Sequence, residues 1–175
     1  MMKKIKILLI GARYTGKGQI GRSWGRTDAD LPALQPVILY DRISRGMRVV
    51  AWVMSYDPEF ESIRRCFLKD ANAIACTFSI EQGKEWTMER LDDFLDEYIE
   101  VAGALPPAAL IGVQLDPDAI VDESTRLDKA RELAARRGLL EPVMTNHADR
   151  DAFNATVSAS FEALLDRVLE RKNDK

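Results

Sequence analysis

Short runs of branched apolar residues alternate with longer stretches of helical period along this chain, and that alternation restricts the fold more than any other feature. Strands joined through intervening helices return alongside one another in parallel. The strand-like runs are Lys4 to Ile10, Asn72 to Ser79, Ala108 to Gln114 and Glu141 to Thr145. The helical stretches are about Gly16 to Trp24, Pro58 to Lys69, Lys84 to Val101, Ser124 to Arg137 and Ala148 to Arg171. One place breaks the rule. "PVILYDRI" and "MRVVAWV" are separated only by Ser44-Arg45-Gly46. Three residues are too few for a crossover, so these two strands pair antiparallel. A polar, helix-free connection, "RTDADLPALQ", leads into that hairpin. The expectation is one α/β domain over residues 1–175: three layers, with a six-stranded, mostly parallel sheet carrying one antiparallel strand and flanked by about five helices.

A chain of 175 residues can bury one sizeable core. The stripe Trp86, Met88, Leu91, Phe94, Leu95, Tyr98 and Ile99 reads as core contact, as does Phe153, Val157, Phe161, Leu164, Leu165 and Val168 in the last helix. A net charge of −3 gives no reason to expect a nucleic-acid surface. The two cysteines, Cys66 and Cys76, show no metal-ligand spacing and no secreted disulfide framework, which fits a cytoplasmic protein. Cys76, inside "AIACTFSI", reads as a small buried thiol. The opening "MMKKIKILLI" has too short an apolar part for a secretory leader and reads as a strand. No run is long enough to cross a bilayer, residue 2 is Met, and "ERKNDK" holds no lipidated cysteine, so no direct membrane anchor is expected.

Between the first strand and the first helix stands "GARYTGKGQI". In a phosphate-binding loop, successive backbone N–H groups converge on an anion, the following helix adds its positive end, and glycine permits the tight path. Gly11 and Gly16 occupy the two glycine places, and Lys17 is placed to reach phosphate oxygens as a point charge. Arg13, Tyr14, Thr15, Gly18 and Gln19 complete the expected nucleotide-binding stretch. The order of elements and this loop together predict a P-loop NTPase fold.

The chain resembles Ras-type small GTPases over nearly its whole length, through its element order, its hairpin and its size. "AWVMSYDPEFESIRRCFLKDANAIACTFSI" is similar to that family's switch-two passage, with Trp52, Phe60, Ser62, Arg64, Asp70, Ala71 and Ile74 matching. "LIGVQLD" stands where the family has its guanine-reading Asn-Lys-x-Asp, and "VMTNHAD" where it has its Ser-Ala-Lys loop. The resemblance implies GTP or GDP as the ligand, Asp116 as the carboxylate that accepts hydrogen bonds from guanine, and Asn146 as a further base contact. It also implies regulatory or effector proteins at the switch surface.

The departures fall on the parts that hold magnesium and cut phosphate. Gly18 replaces the magnesium-ligating hydroxyl, so Mg²⁺ would need water or a displaced ligand, and no metal ligand is assigned. The switch-one threonine falls on Gln35 or Pro36; Thr27 lies short of the position and reads as an ordinary loop residue. Val53 and Tyr56 stand for the aspartate and glycine of Asp-x-x-Gly, and a tyrosine disfavours the close backbone approach that glycine allows. Asp57 replaces the water-orienting glutamine; a carboxylate there would repel a transferring phosphoryl group, and it reads as a solvated acid that starts the next helix. Arg13 has two readings, crowding the attacking water or laying its charge along the phosphates. Val113 and Gln114 replace the Asn and Lys that steady the base loop. His147 reads as an exposed loop residue. No catalytic residue is assigned, and hydrolysis is expected to be slow or absent. The alternatives are a nucleotide-independent pseudo-GTPase scaffold and, from the similarity of "GKGQ" to the Gly-Lys-Gly-Thr of nucleoside monophosphate kinases, a phosphotransferase.

Overall fold

The computed structural model describes residues 2–27 and 35–173. Most of the expected connection "RTDADLPALQ" therefore lies outside the described residues. Strands β1 (Lys4–Gly11), β2 (Val37–Ser44), β3 (Met47–Met54), β4 (Ala73–Ser79), β5 (Ala108–Gln114) and β6 (Val143–Asn146) form one sheet in the order β2-β3-β1-β4-β5-β6. All neighbouring pairs are parallel except β2 with β3. The helices are α1 (Lys17–Trp24), α2 (Glu61–Leu68), α3 (Trp86–Ala102), α4 (Glu123–Arg137) and α5 (Arg150–Asn173). The α/β class, the mostly parallel sheet with one antiparallel pair, and the five helices are thus as the alternation predicts.

The central strands explain themselves by burial on both faces. On β1, Ile5, Ile7 and Leu9 join Ile20, Trp24, Val157, Phe161 and Leu164 in a core under α1 and α5. Leu8 and Ile10 point the other way, into a second core with Leu68, Phe78, Leu91, Leu95 and Leu133 from the opposite helices. Trp24 stacks on Phe161 with ring centroids 4.6 Å apart, fixing α1 against α5. Among the described residues, no helix is long and apolar enough to cross a membrane.

Three details differ from the sequence reading. Ser44 pairs directly with Met47, so the hairpin turn is the two residues Arg45 and Gly46, with φ of 51° and 70° as in a type I′ turn. The stretch from Pro58 begins as a 3-10 turn, Pro58–Phe60, before α2. Trp86, read as core, is 44% exposed because it falls on the face of α3 that carries the exposed Glu89, Arg90 and Asp93. Met88, Leu91, Phe94, Leu95 and Tyr98 of the same stripe are buried, as are all six of the α5 stripe.

Candidate nucleotide-binding site

Parallel strands of an open α/β sheet deliver their following loops to one edge, and ligand clefts form there. Here β1, β3, β4, β5 and β6 end together at Gly11, Met54, Ser79, Gln114 and Asn146. The loop after β1 passes through three positive φ values, at Gly11 (152°), Tyr14 (59°) and Gly16 (84°), before α1 starts at Lys17. At Gly16 the geometry demands glycine twice over: the backbone is left-handed, and a Cβ would sit 3.0 Å from Val113 Cγ1. Val113, the expected replacement of the base-loop asparagine, therefore forms the floor beneath the loop. Thr15 ties the loop inward, its buried hydroxyl 2.8 Å from Ala12 O and 2.6 Å from the Thr77 hydroxyl on β4. Tyr14 points out, 69% exposed.

The Lys17 ammonium donates to Gly11 O and Ala12 O, both at 2.7 Å. Burial, reinforced by repulsion from Arg13, pulls its pKa from 10.5 down to about 7. A cation folded back on its own loop in this way has no carboxylate paired with it among the described residues, and an anion in the cleft would supply the counter-charge. The cleft has a volume of about 340 Å³ and is lined by residues Arg13 to Gln19 together with Gln35, Tyr56, Asp57 and Leu115.

Arg13 stays at the exposed rim of the cleft. Its guanidinium reaches across the mouth to Asp57, Nη2 to Oδ2 at 3.2 Å. Asp57 is correspondingly not the solvated acid expected from sequence: its side chain is 16% exposed and makes no helix-capping hydrogen bond. Tyr56 also departs from expectation in where its ring goes. The ring lies inside, 3.8 Å from the Phe94 centroid on α3, with the Arg64 guanidinium 4.4 Å from its own centroid. Arg64, itself buried, is paired with Glu97 at 3.2 Å and donates to Ser55 O at 3.4 Å. The Tyr56 hydroxyl is buried with no hydrogen-bond partner among the described residues, and burial pushes its pKa up.

Asp116 and Asn146 do not line this cleft. Asp116 lies exposed in the loop after β5, its Oδ1 accepting the Asp118 N–H at 2.9 Å, and Asn146 Oδ1 accepts the Ala148 N–H at 2.8 Å. Register places the two loops side by side, since Gln114 pairs with Asn146 and the His147 N–H donates to Gln114 O. His147 is half-buried against Phe153, edge-on at 5.1 Å, where it borders a second cleft of about 380 Å³. Gln19 lines both clefts, so the phosphate-loop cradle continues along the start of α1 toward β6.

Two residues hold the β5 loop: Glu81, which the sequence reading passed over, and Gln114, which it took for a loss of bracing. Glu81, buried just after β4, accepts the Leu115 N–H at 2.7 Å and the Asp116 N–H at 2.9 Å, and pairs with Lys84. Burial would raise its pKa, but Lys84 and the two amides outweigh that and hold the carboxylate below its ordinary range. Gln114 supplies the other brace, its amide donating to Asp116 O at 3.0 Å. The acid following the "TFSI" strand at the sheet's carboxyl edge was the available signal for Glu81.

The residues do not fit a protein-held magnesium ion. Gly18 brings no oxygen, and among the described residues no group of three or more His, Cys, Asp or Glu could ligate a metal. Space is not the obstacle, because a Cβ on Gly18 would meet nothing within 4 Å. Thr27, at the edge of the described residues, is exposed. Both cysteines are free: Cys66 is exposed, while Cys76 is buried, which pushes its thiol pKa up. Compared with protein-family models and with curated proteins, the sequence matches none of either.

Proposed function

We propose that the protein is a Ras-like member of the P-loop NTPase fold that binds a nucleotide, GTP or GDP, and acts through protein partners in the cytoplasm, with hydrolysis slow or absent. The observation that carries this reading is the Lys17 ammonium, held on Gly11 O and Ala12 O inside a cleft formed by the strand–loop–helix turn. Backbone amides at the start of α1 and one buried cation recognise a diphosphate or triphosphate irrespective of what the base loops do. Asp116, with the loop braced by Glu81 and Gln114, is the group available for guanine. Hydrolysis lacks support from this set: Asp57 occupies the water-orienting position and is engaged by Arg13.

The nucleotide content of freshly purified protein tests the reading. Acid extraction is expected to release close to one equivalent of guanine nucleotide, or to show uptake after incubation with GDP, and Lys17→Ala is expected to lose at least 90% of it. Undetectable nucleotide in both proteins, before and after incubation, would overturn it. The pseudo-GTPase scaffold is the second reading, favoured by one observation: Tyr56, Arg64 and the Arg13–Asp57 pair hold residues 55–57 through contacts made entirely within the chain.

A further inference from the structure

The Arg13–Asp57 pair joins the phosphate loop to the segment before α2, and it does so at the mouth of the cleft that holds Lys17. We propose that this pair is the protein's sensor of a terminal phosphate; the inference rests on nucleotide binding at Lys17 as read above. Arg13 is a single guanidinium between two anions. With the cleft empty or holding a diphosphate, it pairs with Asp57 and pins Ser55–Asp57 to the loop. A triphosphate places a second, more highly charged oxygen cluster within the same cleft, and a guanidinium prefers the bidentate, doubly charged acceptor. Arg13 then leaves Asp57.

Loss of the pair loosens the segment without freeing it. Its other anchors are the Tyr56 ring, wedged between Phe94 and Arg64, the Arg64 hydrogen bond to Ser55 O, and the Ser55 N–H bond to Pro36 O at 2.9 Å. The wedge carries a cost of its own, a buried phenol with no hydrogen-bond partner among the described residues, which opposes the pinned state. Of these contacts the Arg13–Asp57 pair is the one at the mouth of the cleft, so a ligand there can bias how firmly the segment is held. The coupling is small by design of the contact: Arg13 is 59% exposed, so breaking its pair corresponds to a change of about threefold in affinity.

The test is a double-mutant cycle on the whole protein, titrated with GDP and with a non-hydrolysable GTP analogue, alongside hydrogen exchange of residues 55–60. Asp57→Asn is expected to raise the triphosphate-to-diphosphate affinity ratio about threefold, and in the unliganded protein to speed exchange at 55–60 to the rate seen with triphosphate in the parent. Arg13→Gln is expected to lower the ratio, and adding Asp57→Asn to it should change nothing further. Equal effects of Asp57→Asn on both nucleotides, its persistence beside Gln at position 13, or identical exchange in the two nucleotide states would each overturn the sensor. Loss of all Lys17-dependent nucleotide binding is a different result, which would overturn the proposed function and the sensor together.

Discussion

The Lys17 ammonium sits against two carbonyl oxygens and near a guanidinium, surroundings that disfavour its charge, whereas a phosphate would favour it. In the empty protein its pKa is about 7 against 10.5 in an unfolded chain, so between those values the unfolded state binds more protons. Stability of the unliganded protein is therefore expected to rise from pH 7 toward pH 10, measured by urea denaturation across that range. Anion affinity runs the other way, falling as pH rises through 7, because the proton must be restored on binding. Gly18 supplies a second prediction at this scale. Because open space surrounds the missing Cβ, Gly18→Thr should be accommodated and should make GDP affinity rise with Mg²⁺ more steeply than in the parent; the same dependence on the ion in both proteins would contradict it. Tyr56→Phe keeps the ring against Phe94 and removes the unpartnered hydroxyl, so it should stabilise the fold by about 1 kcal/mol in urea denaturation.

Elements, more than residues, were legible in the chain. Apart from the start of α2, three residues beyond the expected Pro58, each strand and helix was foreseen to within about two residues from period and branching, since burial on both sheet faces leaves continuous apolar runs. The hairpin was foreseen as antiparallel, and its turn was overestimated by one residue because Ser44 continues the ladder. Trp86 was misplaced because its apolar ring outweighed its phase: at helical period it shares a face with the exposed Glu89, Arg90 and Asp93, one residue off the buried stripe that Thr87 begins. The loops behaved differently. That Asp57 answers Arg13, and that Glu81 holds Leu115 and Asp116, are contacts between segments 44 and 34 or more residues apart, which no local pattern encodes. The Glu81 contact yields the prediction proper to this scale. Its folded pKa is depressed, so its contribution to stability is present above about pH 4.5 and is lost as pH falls through the folded value. Glu81→Gln should lower stability at neutral pH by about 1–2 kcal/mol and flatten that acid dependence, both readable from thermal melts at pH 7 and pH 4.

At the scale of the whole molecule, the sheet gathers five strand ends at one edge and divides the chemistry between them. The loop after β1 supplies charge and amides, the segment after β3 supplies a plugged tyrosine and an acid, and the loops after β5 and β6 supply Asp116 and Asn146. The first of these has a form suited to phosphate, whereas the second presents a buried ring and an acid already paired with Arg13. The account accordingly centres on binding. The most direct measurement is calorimetric titration of GDP into the intact protein at pH 8, in two buffers of different ionisation enthalpy and in the absence of phosphate. One site, abolished by Lys17→Ala and accompanied by uptake of a fraction of a proton that disappears at pH 6, is the predicted result. No heat at millimolar GDP, or a site indifferent to Lys17, would contradict it.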